Sequence, residues 1–273
     1  MTTPGSQAPR SFGLIVVGDE VLVGGRADGH LAHFKVLLGG RGHALAWHWL
    51  LPDDPQTLTA HLRFSLAGPV PVFCCGGIGA TPDDHTRACA AAAADLPLTR
   101  HPQAAARIEE RFGAEAYPNR ILMADLPAGC DLIENPYNRI PGFRLREHYF
   151  LPGFPQMAWP MAEAILDTRY PGLAEPNRER AVRVTGVPES RLVPLLQHLT
   201  QTHPGLKVFS LPHLPRSRGE VGYILVGMRG RQGLDAGFSD LCAGLATEGI
   251  AFVPAVDGPT VSLWRPGPSQ RQM

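Results

Sequence analysis

The first part of the chain alternates apolar runs with helical segments, and this order constrains the fold more than any other feature. Each of three apolar runs of strand length is followed by a helical pattern: 12–17 by 28–38, 43–51 by 55–66, and 70–75 by 83–95. Buried strands joined by helices are typical of parallel sheets with helices on their faces. We therefore predict an α/β domain, a three-layer sandwich with a mostly parallel sheet.

The pattern loosens and then changes further along the chain. Up to residue 170, the sequence predicts helices at 103–112 and 157–168 and short strands at 131–134, 143–145 and 149–151. After the loop 170–177, it predicts strands at 181–186, 207–211, 221–226 and 250–253 and helices at 189–202 and 234–247. This β-α-β-β-α-β order indicates a small α+β domain with a split βαβ arrangement. We expect domains at 10–170 and 178–256, with flexible tails at 1–9 and 265–273.

Composition narrows the classes of partner. Lys plus Arg and Asp plus Glu both number 25, and this zero formal net charge argues against a nucleic-acid partner. The five cysteines contain no CxxC pair, which fits a reducing cytoplasm better than a disulfide framework. No apolar run is long enough to span a bilayer. We expect a cytoplasmic protein without membrane or nucleic-acid partners.

The loop Gly76–Asp84 follows the third predicted strand, at the sheet edge where α/β proteins bind ligands. Its glycines, Gly76, Gly77 and Gly79, let the backbone approach a ligand closely. Thr81 is placed to cap the following helix, with Pro82 in the first turn. Free amides and the helix dipole then favour an anion.

Asp83 and Asp84 bring negative charge to the same helix start, where they would repel a phosphate. A divalent cation shared between carboxylates and phosphate oxygens resolves this conflict. The alternative is that both residues only complement the helix dipole, with no ligand. The residues themselves leave the two interpretations open, although Asp19 and Glu20 at the first strand end could add carboxylates to one crevice.

Two further strand ends carry candidate ligand residues. After the first strand come Gly18, Asp19, Glu20, Gly24 and Asp28. After the strand near residue 150 comes LPGFP, whose Pro152 and Gly153 belong either to an ordinary turn or to a rigid pocket wall.

Three motifs together resemble the molybdopterin-binding domain family: VGDEVLVGGRAD (Val17–Asp28), GGIGATPDDHT (Gly76–Thr86) and LPGFP (Leu151–Pro155). Within it, the chain is most similar to MoaB/MogA-like domains found in the N-terminal part of the competence/damage-inducible protein A (CinA) family. AVRVTGVPESRL (Ala181–Leu192) also resembles the KH-like domain that follows there. The amidohydrolase domain of that family is missing from this sequence, so we expect no nicotinamide mononucleotide deamidation.

The resemblance implies binding of molybdopterin or a nucleotide, and links the domain to metal-dependent hydrolysis of ADP-ribose or FAD-like pyrophosphates. By motif position the site falls on Asp19, Glu20, Asp28, Gly76, Gly77, Gly79, Thr81, Asp83 and Asp84. Two positions depart from the family pattern. His30 stands where asparagine is usual, and Asn138-Arg139-Ile140 replaces a small glycine-containing stretch. The latter could narrow or recharge the pocket, or abolish activity.

Three functions follow as expectations. The first is a pyrophosphatase using Mg²⁺, Mn²⁺ or Co²⁺, with Asp83 and Asp84 catalytic and Asp83, Asp84 and Asp19 as metal ligands. The second is molybdopterin binding or adenylyl transfer in molybdenum cofactor assembly. The third is a nucleotide-binding protein without catalysis. We also expect a homo-oligomer, a dimer or trimer. An RNA-binding KH domain needs a GxxG loop between helices, whereas here Gly227–Gly230 follows a predicted strand.

Overall fold

The computed structural model describes residues 10–171, 177–215 and 221–259. They divide into two compact units, one drawn mainly from residues before 175 and the other mainly from residues after it. The tails predicted at 1–9 and 265–273 lie outside the described residues. No helix in the described ranges is both long and apolar enough to cross a membrane.

The first unit contains eight described strands and six α-helices. The strands are β1 (Ser11–Val17), β2 (Ala44–Leu51), β3 (Val72–Cys75), β4 (Leu98–Arg100), β5 (Asp125–Pro127), β6 (Asp131–Ile133), β7 (Gly142–Leu145) and β8 (His148–Leu151). The helices are α1 (Asp19–Leu22), α2 (His30–Gly40), α3 (Pro55–Leu66), α4 (Thr86–Ala93), α5 (Pro102–Phe112) and α6 (Pro155–Arg169). Two 3-10 turns follow α5, at Gly113–Ala116 and Arg120–Ala124.

Six strands form one sheet in the order β2-β1-β3-β8-β7-β6, and β4 pairs with β5 separately. Neighbouring strands from β2 to β8 are parallel, whereas β7 and β6 continue the sheet in antiparallel pairs. The prediction of an α/β fold with a mostly parallel sheet is confirmed. The carboxyl ends of β1, β3 and β8 therefore meet at one edge.

Both faces of this sheet are buried, which makes the unit three layers thick. Along β1, Ile15 and Val17 belong to one apolar cluster, and Leu14 and Val16 belong to another. The first cluster includes residues of α3, α4 and α5, and the second includes residues of α2 and α6. Because successive side chains of a strand point to opposite faces, each cluster is one sheet–helix interface.

The second unit has a single antiparallel sheet. Its elements are β9 (Arg178–Val184), a 3-10 turn (Glu189–Arg191), α7 (Val193–Thr202), β10 (Lys207–His213), β11 (Tyr223–Gly230), α8 (Leu234–Thr247) and β12 (Phe252–Pro259). The strand order is β10-β11-β9-β12, and the predicted β-α-β-β-α-β succession is confirmed. Gly227–Gly230 lies inside β11 rather than after a strand, and it pairs with β9 and β10. A segment held in a sheet cannot serve as a loop between helices.

The helix predicted at 83–95 begins later, at Thr86, and ends at Ala93. Residues before it use local hydrogen bonds that compete with a helical turn. The Asp84 carboxylate accepts from both the N–H (2.8 Å) and the hydroxyl of Thr81. The N–H of Thr86 donates to Gly77 O at 2.9 Å. Thr81 is therefore not the helix cap, and Asp83 and Asp84 are not first-turn residues, so both predictions were wrong.

Candidate functional site

A cavity of about 520 Å³ opens at the joint end of β1, β3 and β8. This volume falls within the range typical of small-molecule sites. Ten residues of the predicted site line the cavity: Gly18, Glu20, Gly76, Gly77, Gly79, Thr81, Asp83, Asp84, Pro152 and Gly153. The three loops singled out in the sequence thus share one crevice.

Glycine allows the three loops to approach each other backbone to backbone. Gly76 has φ +112°, and a Cβ there would overlap the Val17 carbonyl oxygen. A Cβ on Gly153 would lie 3.3 Å from the Cα of Gly76. The N–H of Gly76 donates to Leu151 O at 3.0 Å, which ties the loop after β3 to the end of β8.

Four consecutive backbone amides in the loop after β3, those of Gly77, Ile78, Gly79 and Ala80, form what we call the amide nest. None of their N–H groups donates to an acceptor in the described part of the chain. All four residues are half-buried and line the cavity. Buried amides normally find a partner, and clustered free N–H groups form a concave anion site.

Four carboxylates line the same cavity: Glu20, Asp53, Asp83 and Asp84. The sequence analysis did not single out Asp53, which follows β2. Its Oδ2 accepts from the N–H of Asp19 at 2.9 Å, and Asp19 Oδ1 accepts from the N–H of Asp53 at 3.3 Å. The pKa of Asp53 is raised, first by burial and then by the negative charges of Asp19, Glu20 and Asp83.

Asp84 holds the shape of the loop as well as lining the cavity. Its Oδ2 accepts two hydrogen bonds from Thr81. A Cβ added at Gly79 would lie only 2.5 Å from the same oxygen, so the loop packs closely against it. One carboxylate oxygen is therefore engaged with the loop backbone. Asp83 is exposed beside it and also faces the cavity.

Three predicted ligand residues do not line this cavity: Asp19, Gly24 and Asp28. Asp19 is hydrogen-bonded to Asp53, which does line the cavity. Asp28 Oδ1 accepts from the N–H of His30 at 2.7 Å at the start of α2, and its Oδ2 lies 3.4 Å from His48 Nε2. Direct ligand contact by these three residues stays a prediction.

The donor set fits a divalent cation that takes some of its ligands from a substrate. Within the described ranges, no group of three or more His, Cys, Asp or Glu residues is placed to hold a metal ion. Mg²⁺ and similar ions in phosphate sites commonly use one or two carboxylates together with phosphate oxygens and water. Asp53, Asp83 and Glu20 offer such carboxylates, and the metal ligands named from the sequence stay a prediction.

His30, one of the two departures, fastens the loop after β8. It is buried, its Nε2 lies 3.0 Å from Gly153 O, and its Nδ1 accepts from Trp159 Nε1 at 3.3 Å. These partners require the neutral tautomer that carries its proton on Nε2. Burial lowers the pKa of His30, which keeps the ring neutral near pH 7.

His30→Phe is expected to lower the free energy of unfolding by about 1–3 kcal/mol, because it leaves the Gly153 carbonyl and the Trp159 indole without partners. The matched control is His33→Phe, which keeps the stack on Trp159 at 4.0 Å. Urea unfolding followed by fluorescence measures both. Equal stability of His30→Phe and wild type would show that these bonds contribute nothing.

The second departure does not add charge to the cavity. Arg139 Nη1 lies 3.1 Å from Glu110 Oε1, and the side chain is outside the lining. Its neighbours Asn138 and Ile140 do line the cavity. The stretch therefore contributes an amide and an apolar side chain to the lining.

Several lining residues gave no signal in the sequence. Met123, Phe154 and Met157 form an apolar wall together with Ile140. Arg26 is the one Lys, Arg or His among the residues that line the cavity, and its guanidinium lies 5.3 Å from the centre of the Phe154 ring. The three motifs do contain Arg26 and Phe154, but not in a pattern that marks a ligand contact.

Comparison with known proteins agrees with this geometry. Residues 13–172 match the model of a family described as a probable molybdopterin binding domain. A CinA-like protein of Citrifermentans bemidjiense is 31% identical over 192 residues, which is 67% of this chain and 46% of that protein. A CinA-like protein of Syntrophobacter fumaroxidans is 32% identical over 214 residues, 74% of this chain and 49% of that protein.

The chain spans about half the length of these two CinA-like relatives. The crystal structure of a CinA protein of unknown function from Thermoplasma acidophilum superposes with a TM-score of 0.53 at 28% identity. It covers 57% of this chain and 96% of the other. Since the family model spans more than half of the sequence and the CinA structure shares its fold, the chain belongs to the molybdopterin-binding domain family, as a MoaB/MogA-like domain of the CinA-like type.

Proposed function

We propose that the cavity binds a phosphorylated heterocycle, a nucleotide or a pterin, with a phosphoryl group on the amide nest. The observation that carries this proposal is the amide nest itself, four N–H groups of half-buried residues without an acceptor in the described part of the chain. Phosphate oxygens satisfy such groups, as they do at other glycine-rich loops that precede a helix. The apolar wall of Met123, Ile140, Phe154 and Met157 suits the ring system of the same ligand.

The reaction we favour is hydrolysis of a pyrophosphate of the ADP-ribose or FAD type. A bound Mg²⁺, Mn²⁺ or Co²⁺ would neutralise phosphate charge and lower the pKa of a coordinated water. Asp83 and Asp84 line the same cavity as the amide nest, and with Glu20 they supply negative groups that a cation can bridge to phosphate. Asp53 lines the cavity and would accept the proton, since its raised pKa brings it closer to the operating pH of a general base.

Molybdopterin binding or adenylyl transfer is the second candidate, supported by the family to which residues 13–172 belong. The same amide nest would receive the pterin phosphate, and the apolar wall would contact the ring. A nucleotide-binding protein without catalysis is the third. Neither a homo-oligomeric state nor the lack of a nucleic-acid partner follows from the geometry, and both stay predictions.

One screen distinguishes these candidates. The purified chain is incubated with ADP-ribose or FAD and each of Mg²⁺, Mn²⁺ and Co²⁺, and products are separated by chromatography. Calorimetry with molybdopterin and with its AMP adduct runs in parallel. Metal-dependent release of AMP supports the hydrolase. Binding of pterin without turnover of ADP-ribose or FAD supports the second candidate. The absence of all binding at micromolar protein removes the proposal.

Arg26→Gln is expected to weaken binding of ADP-ribose by about tenfold. Among the described residues, Arg26 provides the only cationic side chain of the lining, and a hydrogen bond to a charged group contributes about 1.5–3 kcal/mol. Arg63→Gln is the control, because Arg63 is exposed and bonds Asp95 away from the cavity. Calorimetry at two salt concentrations gives both affinities. Equal affinity in Arg26→Gln and wild type would remove Arg26 from the site.

A further inference from the structure

Arg87 bonds the loop that carries the amide nest but is not among the residues that line the cavity. It occupies the first turn of α4 and is only 8% exposed. Its Nη2 donates to Gly79 O at 2.7 Å, and its Nη1 donates to Asp125 O at 3.1 Å and also to Leu122 O. A single guanidinium thus joins the glycine loop to the segment that follows α5.

The position is electrostatically unfavourable for a structural residue. A cation in the first turn of a helix opposes the helix dipole, and burial lowers the pKa of the Arg87 guanidinium, an effect that the charges of Asp84 and Asp125 offset only in part. No carboxylate in the described residues lies within ion-pair distance of Arg87, and its Nε has no hydrogen-bond partner there. Residues that break local rules in this way concentrate at functional sites.

The bond to Gly79 O has a direct consequence for the amide nest. In a planar trans peptide the carbonyl and the N–H point in opposite directions. With the Gly79 carbonyl held against Arg87, the N–H of Ala80 points away from Arg87, and Ala80 lines the cavity. A Cβ added at Gly79 would lie 2.5 Å from Asp84 Oδ2, so the tight fold of the loop at this peptide requires glycine.

We propose that Arg87 is a positioning residue that orients the Gly79–Ala80 peptide so that the Ala80 N–H donates to a phosphoryl oxygen in the cavity. The ligand in this proposal rests on the proposed function, whereas the orientation of the peptide does not depend on it. Arg87 does not touch the ligand. It acts through the Gly79 carbonyl, and its positive charge is buried against the loop that holds the anion.

The first measurement is a titration of ¹⁵N-labelled protein with inorganic pyrophosphate, followed by the backbone amide resonances of the nest. In wild type, the resonances of Gly77 to Ala80 should all shift. Arg87→Lys keeps the charge, but its single nitrogen on a shorter side chain cannot replace the two guanidinium nitrogens, of which Nη2 bonds Gly79 O and Nη1 bonds Asp125 O. We expect it to lose the Ala80 response while the Gly77 response remains, with pyrophosphate affinity reduced about tenfold or more.

Arg63→Lys is the matched control, because Arg63 also bonds a carbonyl of α4, that of Ala92 at 2.8 Å, but at the far end of the helix. It should leave the Ala80 response and the affinity at wild-type values. If Arg87→Lys disturbed the whole loop, the responses of all four nest amides to pyrophosphate would weaken together. A loss confined to Ala80 therefore distinguishes a positioning role of Arg87 from a general effect on stability.

The second measurement is the crystal structure of free Arg87→Lys, with Arg87→Met as a neutral variant of similar length. A rotated Gly79–Ala80 peptide supports the proposal without any ligand. An unchanged peptide, or an affinity within twofold of wild type with the Ala80 response kept, overturns it. If wild type itself shows no response to pyrophosphate, the proposed function fails, and the peptide orientation in Arg87→Lys still decides the role of Arg87.

Discussion

Gly77→Ala is expected to weaken binding of ADP-ribose at least about hundredfold, which corresponds to about 2.8 kcal/mol. Gly77 has φ +68°, and a Cβ there would overlap Oγ1 of Thr86 and lie 3.2 Å from its Cβ. Thr86 is fully buried at the start of α4 and cannot move aside. The loop must therefore shift, and the N–H groups of the amide nest move from their present positions.

Gly129→Ala separates this effect from backbone strain alone. Gly129 has φ +77°, close to that of Gly77, but a Cβ there would meet nothing within 4 Å. Both variants carry the cost of about 1–2 kcal/mol for a left-handed alanine, yet only Gly77→Ala disturbs the cavity. Calorimetry measures affinity, and thermal unfolding verifies that both variants fold. Wild-type affinity in Gly77→Ala would contradict the assignment of the phosphate site.

Asp53→Asn is expected to reduce kcat for pyrophosphate hydrolysis by about 10²–10⁴-fold, the usual contribution of a general base. The base must be ionised, so the rate falls as the pH falls through its pKa. Burial and the nearby carboxylates raise the pKa of Asp53, which moves this fall to higher pH than an ordinary aspartate would give. Asp19→Asn removes one of those charges, and the fall should move to lower pH.

Asp54→Asn is the control for Asp53. Asp54 is exposed, and its Oδ2 accepts from the N–H of Thr57 at 2.7 Å at the start of α3, a role that asparagine also fills. It should keep the wild-type rate and pH profile. Rates measured between pH 4 and 9 with saturating metal give the comparison. An unchanged kcat in Asp53→Asn, or a pH profile in Asp19→Asn that coincides with that of wild type, would contradict the role of Asp53.

The elements that depend on local signals were predicted closely. Helix α3 runs from Pro55 to Leu66 as predicted, because Asp54 caps it through the N–H of Thr57 and Pro55 occupies the first turn. The start of α4 was placed three residues too early. A capping pattern predicts a helix, but the bonds from Thr81 to Asp84 and from Thr86 to Gly77 favour a folded loop there. Helix α1, a single turn at Asp19–Leu22, was not predicted.

The sequence by itself determined the layered α/β fold and the three loops that meet at one sheet edge, but not the short strands β4 and β5. Strand and loop patterns are local, and parallel strands bring their carboxyl ends together. Only the tertiary structure showed that Asp53, Arg26 and the apolar wall line the cavity. It also showed that Arg139 pairs with Glu110 and does not line the cavity. It further showed that Arg87 bonds the Gly79 carbonyl in the loop of the amide nest. These contacts join residues far apart in the chain, and the direction of each side chain depends on packing that no local pattern encodes.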